Sequence, residues 1–388
     1  MDICIKDECT GCTACYNICP HSAISFREDD LGFLYPTIDE VRCIECGLCR
    51  KVCPNNSPVS RSKDQEAFVA TAKSVDEQRT STSGGLTSVL ARHIIRRGGV
   101  VYGCTGEDCT NIHHVRISSE EEIARIKGSK YVQSSLGLCF GAIKKDLQQG
   151  TTVLFVGTPC QCAGLRSYLQ KEYDNFYVVD FVCHGVPSQK ILTDAIKSNL
   201  KQGNLQGYEV KFRYREGKNE HSIYGLQLLK EGSVKYQKNW PKNDYITGFL
   251  SGVYYRESCY RCKYASPERV SDITLGDFWD REHKKTISKD ALGLSLVICN
   301  TTKGKDFLRK SENEIKYESE VLDALLKTNG QLNSPFPKPN IYEMFHELYY
   351  KYGYAKASKR VLRREMSKTR IRILTVKTLR FIKNTLHL

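Results

Sequence analysis

The chain opens on two cysteine runs that leave little freedom in what this segment can become. Cys9, Cys12, Cys15 and Cys19 are followed, with every interval kept, by Cys43, Cys46, Cys49 and Cys53. Each run reads C-x2-C-x2-C-x3-C-P, ending in Pro20 or Pro54. Thiols this dense are not an obvious disulfide framework. The spacing is the one in which three thiolates grip an iron-sulfur cubane and the fourth crosses to its neighbour. By that rule Cys9, Cys12, Cys15 and Cys53 hold one [4Fe-4S] cluster, and Cys43, Cys46, Cys49 and Cys19 hold a second. Zinc also takes Cys-x2-Cys, but zinc ribbons use separated pairs.

The residues between these ligands suit two-cluster ferredoxin-type packing. Gly11, Thr13, Ala14 and Gly47 let the backbone wrap closely and aim N–H groups at sulfur. Short strands are expected at 23–26 and 33–38, around the turn Glu28-Asp29-Asp30-Leu31-Gly32. A segment of this size buries little apolar surface, so bound clusters carry much of its folding free energy. We assign 1–57 to a two-[4Fe-4S] ferredoxin-type domain. Cys4 lies outside the pattern and reads as a core or spare thiol.

At 388 residues, 40% of them hydrophobic, the chain is long for a single core. It shows no apolar run long enough for a membrane span and no secretory leader, which places it in the cytoplasm. Its 18 cysteines suit that compartment as thiolates and metal ligands. The net charge of +14 invites a nucleic-acid reading until it is located. Twelve basic residues and one acid, Glu365, fall in 351–388, leaving +3 for the preceding 350 residues. The basicity belongs to the tail, and nucleic acid is not an expected partner.

Polar, aperiodic 57–66 reads as a linker. Strand and helix then alternate: a strand at 68–71, a helix at 86–97 closed by Gly98-Gly99, a strand at 100–104, a helix at 136–149, a strand at 152–156, a helix at 161–170, a strand at 176–182 and a helix at 189–201. This order predicts an α/β layer of largely parallel strands, with ligands at their carboxyl ends. From 208 the pattern becomes antiparallel, with strands at 210–214, 224–229 and 234–237. Two more follow at 273–275 and 294–299, then a helix at 303–311. The overall class is α+β: a small ferredoxin-like head fused to an α/β-rich body with an antiparallel section, then a basic helical tail. We divide the body into 66–205 and 206–335, and the tail is 336–388.

Gly157-Thr158-Pro159-Cys160-Gln161 and Cys183-His184-Gly185-Val186-Pro187-Ser188 each join a strand to a helix, placing a cysteine where a helix N-terminus favours thiolate. Cys259 and Cys262 form a Cys-x2-Cys pair. The sharp reading gathers Cys160, Cys183, Cys259 and Cys262 on a third [4Fe-4S] cluster; the bland one makes some of them apolar core thiols. Cys162 competes with Cys160, and Cys104, Cys109, Cys139 and Cys299 read as core. Ser83-Gly84-Gly85 before a helix could meet a phosphate, although Ser83 also serves as an ordinary cap. Lys130 in Gly128-Ser129-Lys130-Tyr131 could do the same or simply solvate a loop. No Gly-x-Gly-x-x-Gly and no Walker loop is present.

Five ordered motifs now carry a resemblance: Gly-Ser-Lys-Tyr-Val-Gln-Ser at 128–134, Gly-Thr-Pro-Cys-Gln at 157–161, Cys-His-Gly-Val-Pro-Ser at 183–188, Cys-x2-Cys at 259–262, and Asp-Ile-Thr-Leu-Gly-Asp-Phe-Trp at 272–279. Together they resemble the beta-subunit family of coenzyme F-420 hydrogenase and dehydrogenase, over about 1–310. The resemblance implies FAD beside an iron-sulfur cluster in the body, with contacts near Ser83, Gly84, Gly85, Lys130, Thr158 and His184, and it favours the four-cysteine site. Asp280 stands where the family pattern leads us to expect glycine, which leaves deazaflavin use open. Cubanes pass single electrons whereas most organic reductions need two, and a flavin converts between them. His184 is the candidate proton donor, since imidazole titrates near neutrality.

These readings predict an iron-sulfur, flavin-dependent oxidoreductase passing electrons between ferredoxin or a reduced deazaflavin and a small organic substrate. The alternative is an electron-transfer subunit that serves an acceptor enzyme and has no substrate site of its own. In the tail, Lys359, Arg360, Arg363, Arg364, Lys368, Arg370, Arg372, Lys377, Arg380 and Lys383 alternate with Ile371, Leu374, Leu379, Phe381, Ile382, Leu386 and Leu388, without Pro or Gly after Tyr354. A long helix is expected. It would either pack on the body or lie on an anionic membrane, close to membrane-linked substrates such as glycan precursors.

Overall fold

A computed structural model describes residues 2–216, 222–279, 287 and 291–385, with side chains from 376 onward left aside. Asp280, Leu386 and Leu388 lie outside the described residues. In the head, strands β1 (Ile24–Glu28) and β2 (Leu34–Ile38) form an antiparallel hairpin, as the alternation around its acidic turn predicts. The turn closes on Asp29, whose carboxylate accepts from the amides of Leu31 and Phe33 at 3.0 and 2.8 Å.

The body is built on an eight-stranded sheet made of β3 (Glu66–Ala72), β4 (Val100–Thr105), β5 (His113–Ile117), β6 (Val153–Gly157) and β7 (Phe176–Phe181), with β11 (Ile273–Asp277), β12 (Ser295–Cys299) and β13 (Ile315–Glu320). Its order is β13-β3-β12-β11-β7-β6-β4-β5. Only β4-β6, β6-β7 and β7-β11 run parallel; the other four ladders are antiparallel. The expected largely parallel layer is therefore a mixed sheet. Its parallel centre takes β4, β6 and β7 from the alternating strand–helix region and β11 from later chain, while its flanks are β12 and β13 with β3 between them on one side and β5 on the other; the sequence pattern marks neither β13 nor β5. β5 is short and rich in His and Arg, so it carries no apolar run.

Alternation along the strands sends side chains to both faces. Val153, Phe155, Phe176 and Val178 pack with Phe140, Ile143, Cys162 and Leu165. Leu154, Val179, Ile273 and Val297 pack on the other face with Leu86, Val89, Leu90, Ile94 and Phe307. Strands β8 (Tyr208–Tyr214), β9 (Ile223–Lys230) and β10 (Ser233–Asn239) make a separate antiparallel sheet, as their pattern predicts.

The expected linker is tied down rather than loose. The Ser62 amide donates to the Arg269 carbonyl at 2.9 Å, and the Gln65 side-chain amide donates to the Pro267 carbonyl and Asn300 Oδ1 at 3.0 and 2.7 Å. The tail carries the helix Tyr342–Tyr352 and then one long helix, Tyr354–Thr385. Tyr354, Ala357, Val361 and Leu362 at its start are buried in the core that holds Tyr245, Tyr254 and Phe345. Ile371 and Leu374, farther along, are 65% and 64% exposed. No helix among the described residues is long and apolar enough to cross a membrane.

Candidate functional site

In the head, Cys19, Cys43, Cys46 and Cys49 surround a cavity of about 120 Å³. Cys9, Cys12, Cys15 and Cys53 surround another of about 20 Å³. These are the two crossed sets that the spacing rule gives, and every one of these thiols is free. Backbone amides face the sulfurs: Gly11 toward Cys9, Ala14 toward Cys12, Asn55 and Asn56 toward Cys53. The Ala23 amide donates to Cys19 Sγ at 3.3 Å. Such N–H···S donors are the supporting bonds an iron-sulfur group requires. Cys4 is not a spare thiol. It lies on the wall of the smaller cavity beside Cys53 and Cys9, where its thiol favours their ionised forms.

The body's chemistry lies at the carboxyl edge of the parallel strands β6, β7 and β11, where their loops enclose a cavity of about 310 Å³. Cys160, Cys183, Cys259 and Cys262 all line it. The charges of Cys160, Cys183 and Cys262 act on one another and on Cys259, so the four share one locality. Donors again face the sulfurs: the amides of Gly185 at Cys183, Val186 at Cys259, and Tyr264 and Ala265 at Cys262. Thr158 Oγ1 lies 3.2 Å from Cys160 Sγ. Gly185 has φ +132° and sits hard against Tyr255, whose ring would occupy the place of a Cβ. Only glycine lets this loop wrap so closely over Cys183.

The helix-terminus expectation for thiolates holds in position for Cys160 alone. Cys160 is the second residue of the helix Pro159–Leu169, whereas the helix Gln189–Leu200 begins well past Cys183, capped by Ser188. Burial outweighs the dipole and pushes both free thiols up to about 12. A metal, not the helix, is what would make them thiolates. Cys162 does not join them: it is fully buried, with Sγ 3.8 Å from the carbonyls of Gly157 and Val179. Cys104, expected in the core, is on the cavity wall beside Lys130.

Ser83, Gly85, Lys130, Thr158 and His184 line the same cavity, and Gly84 does not. Gly84 turns its amide to Ser295 Oγ at 3.0 Å. Ser83 is not the helix cap the sequence offered. Gly85, in the left-handed conformation, holds that position before Leu86–Ile95, and the Ser83 hydroxyl donates to the Leu294 carbonyl at 2.8 Å. Lys130 Nζ donates to the Lys127 carbonyl at 2.7 Å, and burial lowers its pKa to about 8. Burial also lowers the pKa of His184.

Several neighbours are not among the candidate residues that the sequence suggests. Arg213 reaches Asp277 at 2.6 Å and lies over Tyr224, while Tyr131 stacks on Phe249 with ring centroids 4.3 Å apart. Arg269 and Asp180, both buried, pair at 3.0 Å close to Cys183, and the Arg269 charge also reaches Cys262. Tyr131 and Asp277 fall inside the motifs at 128–134 and 272–279, whereas no local spacing marks Arg213, Tyr224, Phe249, Arg269 or Asp180.

Comparison with known proteins agrees with this layout. Residues 150–324 match the family model for the C terminus of the coenzyme F420 hydrogenase/dehydrogenase beta chain, and residues 8–57 match that of a 4Fe-4S dicluster domain. Residues 150–324 are similar to that family, behind a segment similar to a dicluster domain. The chain is thus an iron-sulfur electron-transfer protein related to the beta chain of F420 hydrogenase. A search of curated proteins finds no match. Among solved structures, the chain is similar to one in the xenon-derivatised F420-reducing [NiFe] hydrogenase complex from Methanosarcina barkeri, at 16% identity, over 79% of this chain and 93% of that one, with a TM-score of 0.45. The family segment contains Cys160, Cys183, Cys259, Cys262, Thr158 and His184, while Ser83, Gly85 and Lys130 come from chain that precedes it.

Proposed function

We propose that the protein is an iron-sulfur, flavin-dependent oxidoreductase passing electrons between ferredoxin or a reduced deazaflavin and a small organic substrate. The observation that carries this reading is the shared wall: four cysteines with N–H and O–H donors aimed at sulfur line the same cavity of about 310 Å³ as Ser83, Gly85, Lys130, Thr158 and His184. The reading divides the chain into a cluster head at 1–57, a body at 66–205 and 206–335, and a tail at 336–388.

In this reading Cys160, Cys183, Cys259 and Cys262 hold a third [4Fe-4S] cluster, and Ser83, Gly85, Lys130 and Thr158 hold FAD. Bound FAD supplies the conversion between one-electron and two-electron transfer. Lys130 offers a buried amine, easily made neutral, to an electron-rich group. His184 is the proposed proton-transfer residue. Since its pKa is lowered, it stands neutral near pH 7 and passes on a proton only after taking one up. The helix Pro159–Leu169 ties the cavity to the head: it starts beside Cys160 and, one turn later, brings Gly164 against Cys12. Membrane-linked glycan precursors are the substrate class that the basic tail would bring within reach.

A second reading, an electron-transfer subunit serving an acceptor enzyme, draws on one feature of the head. Cys46 is exposed, and beside it Val41 and Ile44 are 97% and 62% exposed, which suits contact with a protein. Anaerobic purification followed by flavin release and iron analysis tests the first reading. It expects FAD and about twelve irons per chain, at four per cubane. Absence of flavin with about eight irons would leave only the second.

A further inference from the structure

Arg256 is 1% exposed, yet its partners are not the carboxylates a buried guanidinium ordinarily finds. Nε donates to the Cys9 carbonyl at 2.6 Å. Nη2 donates to the Leu34 carbonyl at 3.0 Å and lies 3.5 Å from Cys9 Sγ, and Nη1 donates to Gln133 Oε1 at 3.2 Å. The cation also lies over the ring of Tyr35, 4.2 Å from its centroid. Among the described residues no carboxylate pairs with it. A buried cation in this state is costly unless anions of another kind face it. The candidate anions within its reach are sulfur: Nη2 faces Cys9 Sγ, and Cys160 lies close enough to feel the same charge.

The backbone of the same residue ties the body's cysteine loops together. The Arg256 amide donates to the Val186 carbonyl at 3.0 Å, in the loop that carries Cys183, and its carbonyl accepts from the Cys259 amide at 2.8 Å. One residue therefore holds three cysteine loops, two through its backbone and one through its side chain.

We propose that Arg256 is the positioning residue between the head's first cysteine group and the body's four-cysteine group, setting their mutual placement and supplying the positive charge that both share. The proposal rests on reading these groups as cluster ligands. A hydrogen bond and a positive charge beside cluster thiolates favour the reduced, more negative state, so Arg256 raises the reduction potential of the first group. The second head group, Cys19 with Cys43, Cys46 and Cys49, lies outside its reach and serves as an internal control.

The test is a dithionite titration of the full-length, anaerobically purified protein, followed by electron paramagnetic resonance, for wild type, Arg256→Met and Arg256→Lys. With iron content unchanged, Arg256→Met is expected to move the first-group midpoint to more negative potential and leave the second-group midpoint in place. Arg256→Lys, which keeps the charge but loses the fork, is expected to restore part of the shift. Unmoved midpoints in Arg256→Met, or equal shifts in both head groups, overturn the proposal. If Arg256→Met does not keep its iron, Arg256→Gln takes its place, and a wild-type first-group midpoint there overturns it. About eight irons in the unmutated protein would remove the four-cysteine cluster, a separate failure, while the first-group shift still tests Arg256.

Discussion

Gly164 allows a test in which local propensity and tertiary packing give opposite signs. It lies inside the helix Pro159–Leu169, where replacing glycine with alanine ordinarily gains about 1 kcal/mol. A Cβ there would lie 2.7 Å from Cys12 Cβ and 2.8 Å from Cys12 Sγ. Neither atom is the free end of a flexible chain, because Cys12 is buried in a cysteine loop of the head. Overpacking of this kind costs about 1–3 kcal/mol, and two overlaps this short argue for the upper half of that range. Gly164→Ala should therefore destabilise by about 1–2 kcal/mol net. Gly141, in the neighbouring helix Cys139–Gln148, is the matched control, since the nearest atom to its Cβ would be Tyr168 Oη at 3.9 Å. Gly141→Ala should be neutral or stabilising by up to about 1 kcal/mol. Thermal unfolding of both anaerobic proteins decides the matter: the midpoint should fall by a few degrees for Gly164→Ala and hold or rise for Gly141→Ala. A Gly164→Ala protein as stable as Gly141→Ala would refute the close approach of head and body at this helix.

Three further outcomes follow from the same geometry. Cys160→Ser or Cys262→Ser should lower iron by about four per chain and spare the head, whereas Cys162→Ser should keep its iron and lose stability, read by iron analysis beside thermal unfolding. The folded pKa of Lys130, about 8, lies below its ordinary 10.5, so the unfolded chain binds more protons between the two; denaturation should show stability rising with pH across that window, and Lys130→Met should lack this component of the rise. A chain ended after Ser367 keeps the docked turns that bury Ala357, Val361 and Leu362, and loses six basic residues. If the tail meets anionic lipid, only the full chain should float with acidic vesicles at low salt, and equal flotation of the two would remove the membrane role.

What could be read from the sequence was whatever depends on neighbours a few residues apart. The three closely spaced cysteines of each head group follow from a repeated interval, and the exchange of Cys19 and Cys53 comes from the ferredoxin spacing rule, which the lining of the two head cavities fits. The strands of the sheet centre and the helices between them followed from apolar periodicity. Docking of the tail was one of two open outcomes, and the burial of Tyr354, Ala357, Val361 and Leu362 decides it for the first turns only. Cys160 and Cys162 mark the limit of local reading: two positions apart on a helix, they point about 200° away from each other, so one meets the cavity while the other meets the sheet. Which one does so depends on how the helix Pro159–Leu169 is rotated against β6 and β7, and that rotation is set by packing far from either cysteine. Arg256 is the extreme case. Its reach to Cys9 spans 247 positions, and nothing in its own neighbourhood announces it, because the carbonyls and sulfur of the head that it meets arrive only when head and body close on each other.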